Sequence, residues 1–145
     1  KDGVVFFFFI YRTMVKNAES DGAVFTAAND SRVTAFGKFM RKTRMDEFPQ
    51  FINILKGDMA VIGPRPERPI FVKEIAEIMP FYETRHIIKP GLTGWAQVNY
   101  SYGETIDDSL IKLQYDLYYI KHRSIYLDMN IAFKTITTIL FYRGQ

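Results

Sequence analysis

Asp46 and Glu47 are adjacent carboxylates that follow Arg41, Lys42 and Arg44 and precede the apolar pattern Phe48, Phe51, Ile52 and Leu55. A carboxylate at a helix start beside cations is held ionised by the helix dipole and the nearby positive charge. In that state it can attack phosphorus, forming an acyl phosphate and dividing one transfer into two steps. Neighbours on a helix point about 100° apart, so Asp46 and Glu47 cannot meet one atom from the same side and would need different roles. The same dipeptide also reads as a capping Asp followed by a first-turn Glu, with no chemistry attached.

A second group follows at Gly63-Pro64-Arg65-Pro66. Each proline fixes its own backbone and pushes the residue before it towards an extended form, so Arg65 is presented from a stiff turn. A rigid guanidinium matches the paired oxygens of a phosphate. The alternative is a structural ion pair with a core carboxylate, and Arg41 carries the same ambiguity. Residues 89–94 (Lys-Pro-Gly-Leu-Thr-Gly) read as a turn that cannot continue regular structure, with backbone donors that an anion could use. His86 and His122 read as surface or capping residues, which leaves a histidine-based zinc site or a Ser-His-Asp triad without support. The Tyr115-Asp116-Leu117-Tyr118-Tyr119 run reads as helix packing with one exposed acid rather than a nucleotide platform.

The elements that must position these groups belong to a chain of 145 residues with 48% apolar content, enough for one substantial core and hence one domain over 1–145. A formal charge of +3 argues against a dedicated nucleic-acid binder. The lack of cysteine removes disulfides and thiolate metal sites. Residues 4–10 lack a signal-peptide cleavage site, and residues 125–142 are interrupted by Asp128, Asn130 and Lys134, making a poor membrane span that could still lie on a membrane surface.

Residues 4–12 read as a buried strand, although Phe6 to Phe9 would also suit an interfacial segment. Residues 18–32 read as a loop. From Val33 the pattern is helical, with Phe36, Phe39 and Met40 on one face and Gly37 and Lys38 on the other. The next helix is expected to be capped by Asp46, to hold Pro49 in its first turn, to carry Phe48, Phe51, Ile52 and Leu55 as its apolar stripe, and to end at Gly57. Residues 59–62 read as a short strand and 68–79 as a helix broken by Pro80. A helix capped by Asp107 or Asp108 presents Leu110, Leu113, Leu117 and Ile120, and a last helix covers about 124–140. The fold class is α+β, a predominantly helical domain with a small β-sheet.

Several ordered motifs together resemble a known family: Tyr11-Arg12-Thr13-Met14, Asp30-Ser31-Arg32-Val33-Thr34, Arg41-Lys42-Thr43, Asp46-Glu47-Phe48-Pro49-Gln50, Asn53-Ile54-Leu55-Lys56-Gly57-Asp58-Met59, Val61 to Glu67, Lys89 to Trp95, and Leu117-Tyr118-Tyr119 with Leu127-Asp128. Across essentially the whole chain they look like the bacterial sugar transferases that prime glycan assembly, the monotopic polyprenyl-phosphate phosphoglycosyl transferases. Two departures stand out. Ile10 occupies a place that is normally basic, and Tyr100-Ser101-Tyr102-Gly103 replaces the usual Gly-Arg, a variant similar to the exopolysaccharide-type subgroup. The family's N-terminal membrane helix has no counterpart in the sequence, so the chain is expected to be a catalytic domain cut from a longer membrane protein.

The resemblance implies a magnesium-dependent transfer of a sugar 1-phosphate from a UDP-sugar to undecaprenyl phosphate, with release of UMP, at the cytoplasmic face of the bacterial inner membrane. It makes Asp46 the nucleophile and a magnesium ligand, and Glu47 an assistant to the metal or the second step. Arg41 and Arg65 would handle the diphosphate or nucleotide. No nucleic-acid partner is expected, and homo-oligomerisation stays open. Two other classes remain: a non-catalytic membrane-surface or partner-binding module, and a magnesium-dependent phosphohydrolase.

Overall fold

The computed structural model describes residues 2–20, 22, 30–100 and 106–140. Six helices and a two-stranded sheet are seen: α1 (Ala35–Lys42), α2 (Gln50–Lys56), β1 (Ala60–Ile62), α3 (Pro69–Ile78), β2 (Gly91–Thr93), α4 (Trp95–Asn99), α5 (Ile106–Lys121) and α6 (Ile125–Leu140), with 3-10 turns at Met45–Glu47 and Tyr82–Ile87. This is the expected helix-dominated α+β fold. The loop expected over 18–32 and the Ser101-Tyr102-Gly103 variant lie partly or wholly outside the described residues.

The strand expected over 4–12 does not form. Those residues are extended and largely exposed, with Phe7 at 87%. Among the described residues they have no partner strand. Instead one side chain, the fully buried Asn53, stands in for it: Asn53 Nδ2 donates to the Phe7 carbonyl at 2.6 Å and the Phe9 N–H donates to Asn53 Oδ1 at 3.1 Å. Residues 89–94 err in the opposite direction, because part of this stretch is β2. It pairs parallel with β1 in the register Ala60↔Gly91 and Ile62↔Thr93. The glycines permit the strand rather than prevent it: a Cβ on Gly91 would meet the Gly63 nitrogen at 2.1 Å.

α1 is capped by Thr34, whose Oγ1 accepts from the Gly37 N–H at 2.9 Å. Of the apolar face expected at Phe36, Phe39 and Met40, Met40 alone is buried. Gly37 and Met40 point inward, while Phe36 and Phe39 face solvent. A Cβ on Gly37 would lie 2.0 Å from the Thr13 carbonyl oxygen, so only glycine allows this close docking.

α2 likewise turns its apolar stripe outward. Gln50 and Asn53 are buried, whereas Phe48, Phe51, Ile52 and Leu55 are exposed, Leu55 at 88%. Gly57, at φ 83°, ends the helix as expected.

The core has two parts. Phe71 and Ile75 of α3 and Met79, which caps its C-terminus, pack with Tyr82 and with Leu113 of α5. Further along α5, Tyr119 packs with Leu127 and Ile131 of α6, against Ile62 of β1 and Trp95 of α4. α5 therefore ties both halves together. Asp107 and Asp108 fall in its first turn rather than at a cap. Among the described residues no helix is long and apolar enough to cross a membrane.

Candidate active site

Asp46 does not cap α2. The chain closes a 3-10 turn instead, with Glu47 N–H on the Arg44 carbonyl at 3.2 Å and Phe48 N–H on the Met45 carbonyl at 3.3 Å, and α2 starts at Gln50. Arg44, at φ 57°, takes the left-handed conformation that reverses the chain between α1 and this turn. The Tyr11 N–H donates to the Asp46 carbonyl at 3.0 Å and fixes the turn from the N-terminal side.

The turn sets both carboxylates into a cleft of about 1100 Å³. Asp46 is 7% and Glu47 8% exposed. Arg41, Arg44, Arg65, Arg68 and Arg85 line the same cleft, so all four sequence-expected site residues, Asp46, Glu47, Arg41 and Arg65, are brought together. Apolar side chains of Val4, Val5, Phe6 and Phe8 form part of the opposite lining, with Phe71 and Val72 of α3.

The two acids have different surroundings. Glu47 Oε1 accepts from Arg65 Nη1 at 2.9 Å and from Arg44 Nη1 at 3.1 Å. Asp46 Oδ1 is buried without a hydrogen-bond partner among the described residues. Burial and the neighbouring Glu47 charge push the Asp46 carboxyl above the usual carboxylate range, against the opposing pull of Arg44 and Arg41. The cations expected to hold Asp46 ionised do act on it, but burial and Glu47 outweigh them, so the net shift is upward. Arg41 donates from Nε to Thr13 Oγ1 at 2.9 Å, which aligns its guanidinium along the cleft wall.

The Gly63-Pro64-Arg65-Pro66 turn follows β1, and Arg65 does make the ion pair foreseen as its structural alternative, with Glu47. Its side chain keeps 38% of its surface exposed and so still faces the cleft. The Gly91 N–H, a donor of the suggested anion nest, is occupied by the Pro64 carbonyl at 2.8 Å.

Sequence reasoning missed Arg85 and misplaced Asp116. Asp116 is not an exposed acid: it is 1% exposed and lies 2.8 Å from Arg85 Nη2. Burial pushes its carboxyl up to about 6 despite Arg85. The signal was present in the steps of three from Leu113 to Asp116 to Tyr119, which place the acid on the inward face of α5. His86 is half-buried in the cleft wall rather than at the surface, and His122 packs on Tyr118 at 4.5 Å between ring centroids.

Among the described residues no three His, Cys, Asp or Glu side chains cluster as a metal cage. Magnesium does not need one, since it commonly binds through one or two carboxylates together with substrate phosphates. The unpartnered, buried Oδ1 of Asp46 in an open cleft fits such an ion.

Residues 1–142 match the bacterial sugar transferase family. The chain is 53% identical over 130 residues to the UDP-N-acetylgalactosamine-undecaprenyl-phosphate N-acetylgalactosaminephosphotransferase of Aeromonas hydrophila, covering 90% of this chain and 31% of that protein. It is 44% identical over 131 residues to the UDP-glucose:undecaprenyl-phosphate glucose-1-phosphate transferase of Escherichia coli (strain K12), covering 87% and 28%. With the sugar transferase EpsL of Bacillus subtilis (strain 168) the identity is 34% over 146 residues, covering 98% and 66%. The chain thus spans about three tenths of the length of the first two relatives. A match over nearly its whole length makes this chain a member of the bacterial sugar transferase family.

Proposed function

We propose that this chain is the catalytic part of an enzyme that transfers a sugar 1-phosphate from a UDP-sugar to undecaprenyl phosphate, releasing UMP and initiating an exopolysaccharide or related glycan. The observation that carries this reading is the asymmetry of the acidic pair: Glu47 is neutralised by two arginines, while Asp46 offers an uncommitted oxygen to the same cleft. Relatives named as transferases acting with UDP-sugars and undecaprenyl phosphate support the choice of substrates.

In the first step the Asp46 carboxylate attacks the phosphorus that bears the sugar. A bond forms from Asp46 to phosphorus, the phosphoanhydride bond breaks, and its electron pair leaves with UMP. In the second step an oxygen of undecaprenyl phosphate attacks the same phosphorus and Asp46 departs as a free carboxylate. Each step exchanges one activated phosphate bond for another, so positioning and charge neutralisation are the chain's main tasks. Arg41 and Arg65 bind the diphosphate, and Glu47 holds Arg65 and Arg44 at the reacting end. Asp46 would hold a magnesium ion, which would supply neutralisation of the diphosphate charge.

A lipid acceptor requires the cleft to work at a membrane, and we place the protein at the cytoplasmic face of the inner membrane. The outward apolar faces of α1 and α2 support this, since Phe36, Phe39, Phe48, Phe51 and Leu55 are all exposed. The test is release of UMP from a panel of UDP-sugars by the native protein, with and without undecaprenyl phosphate. With one sugar, continued UMP release only in the presence of acceptor, and without acceptor at most one equivalent of UMP per protein together with a phosphosugar adduct on Asp46 detected by mass spectrometry, is the expected result. Free sugar phosphate formed without acceptor would indicate a phosphohydrolase. Vesicle binding with no UMP release would indicate a non-catalytic module.

A further inference from the structure

The turn that carries Arg65 cannot hold itself in place. Pro64 and Pro66 have no N–H, so the segment depends on groups from elsewhere to fix its carbonyls. The Pro64 carbonyl takes the Gly91 N–H of β2 at 2.8 Å. The Arg65 carbonyl takes Arg85 Nη2 at 2.9 Å.

Arg85 is itself rigidly placed. It is 5% exposed, donates from Nη1 to the Tyr82 hydroxyl at 2.7 Å, and has Nη2 2.8 Å from Asp116 Oδ2. That last contact is a charge pairing off the hydrogen-bond line, since Asp116 Oδ2 has no aligned donor. Asp116 sits on the buried face of α5, and Tyr82, in the same 3-10 turn as Arg85, packs in the core against α3, so Arg85 ties the Arg65 backbone to α5 and to the core. A buried ion pair gains little net stability over an apolar pair of the same shape, but it does specify one geometry.

We infer that Arg85, anchored by Asp116, is a positioning residue for Arg65, setting through the Arg65 carbonyl where that guanidinium meets the diphosphate of the donor. The inference rests on the proposed role of Arg65 in binding that diphosphate. Misplacement of such a group by even 1 Å is costly, because the gain from a fixed fork depends on both oxygens being reached together.

The test is a double-mutant cycle on the native protein, reading KM for the UDP-sugar and kcat in wild type, Arg85→Lys, Arg65→Ala and the double variant. Lysine retains a charge for Asp116 but cannot span Asp116, Tyr82 and the Arg65 carbonyl together. Arg85→Lys is expected to raise KM about tenfold with a smaller change in kcat, and the effect should shrink to about twofold or less in the Arg65→Ala background. An equal effect in both backgrounds, or no change in KM, overturns the inference while leaving the role of Arg65 intact. A normal KM in Arg65→Ala alone overturns the underlying reading as well. Should Arg85→Lys not fold, Tyr82→Phe, which removes a single hydroxyl partner of Arg85, enters the same cycle with the same outcomes.

Discussion

Arg65 Nη1 donates to Glu47 Oε1 at 2.9 Å across 18 residues of sequence, joining the arginine of the Gly-Pro-Arg-Pro turn to the second acid of the Asp46-Glu47 pair. The contact neutralises Glu47 and leaves Asp46 as the acid with a free oxygen. It also orients Arg65 without burying it, as 38% of the side chain stays exposed. Arg65→Lys keeps the charge and loses the planar fork. Affinity for the UDP-sugar is expected to fall about tenfold, equivalent to about 1.4 kcal/mol. Calorimetry for binding and a melting curve for the fold check this, with the melting temperature expected to stay nearly constant. An unfolded lysine variant would show that the ion pair is structural only.

Asp46→Asn preserves shape and removes the attacking charge. UMP release is expected to drop by about three orders of magnitude or more, since loss of a covalent nucleophile leaves only positioning and electrostatic stabilisation. Circular dichroism should be unchanged, because Asp46 Oδ1 makes no hydrogen bond that the amide would forfeit. Near-normal turnover would remove Asp46 from the mechanism.

The acidic pair and Asp116 together give a pH signature. The Asp46 carboxyl is raised by burial and by Glu47, so the active carboxylate is lost at a higher pH than an ordinary aspartate would lose it. UMP release should therefore fall on the acid side from above the usual carboxylate range. Stability moves the other way. Asp116 is raised to about 6, so between the unfolded value of about 3.9 and that point the folded state holds the proton more tightly than the unfolded state does. Its contribution falls as pH rises through this window, by about 3 kcal/mol overall. Urea unfolding at pH 5 and pH 7, compared between wild type and Asp116→Asn, isolates the effect. A difference between the two proteins that does not change with pH would refute it.

Much of this site was legible because it lies in short, rigid segments. Asp46, Glu47, Arg41 and Arg65 sit on a turn, a helix end and a proline-braced loop whose residue types announce them, and the structure places all four in one cleft. What the sequence concealed was direction. Phe48, Phe51 and Leu55 repeat at helical spacing as an apolar stripe, yet α2 turns Gln50 and Asn53 inward. Periodicity identifies two faces but not which one meets protein, and Asn53 is drawn inside by two backbone groups of residues 7 and 9. Residues 91–93 were hidden for another reason. A short parallel strand packed on Gly63 needs glycine for backbone approach, and glycine alone reads as a turn. The Arg85 contact with Asp116 spans separate elements, so no local pattern joins them.

The outward apolar faces of α1 and α2 carry the last prediction. Phe36 and Phe39 lie with ring centroids 6.4 Å apart on α1, and Phe48 and Phe51 lie 6.0 Å apart at the start of α2, so each helix offers a paired aromatic surface to its surroundings. Left in water, such surfaces lose about 25 cal/mol for each Å² of apolar area that could be covered. A bilayer interface covers them without asking for shape complementarity, and Lys42 and Lys56 at the ends of the two helices supply charge for anionic headgroups. The 145-residue chain should bind vesicles containing anionic lipid, weakly and with affinity that falls as salt is raised. Replacing Phe36 and Phe48 by serine should reduce binding by about tenfold or more, since the double change removes roughly 1.4 kcal/mol or more of interfacial burial. The fold should survive, as both side chains are exposed. Co-sedimentation with vesicles measures the first effect and thermal unfolding the second. Unchanged binding in the double-serine variant would separate these faces from the membrane and require another surface to bring Asp46 to its lipid acceptor.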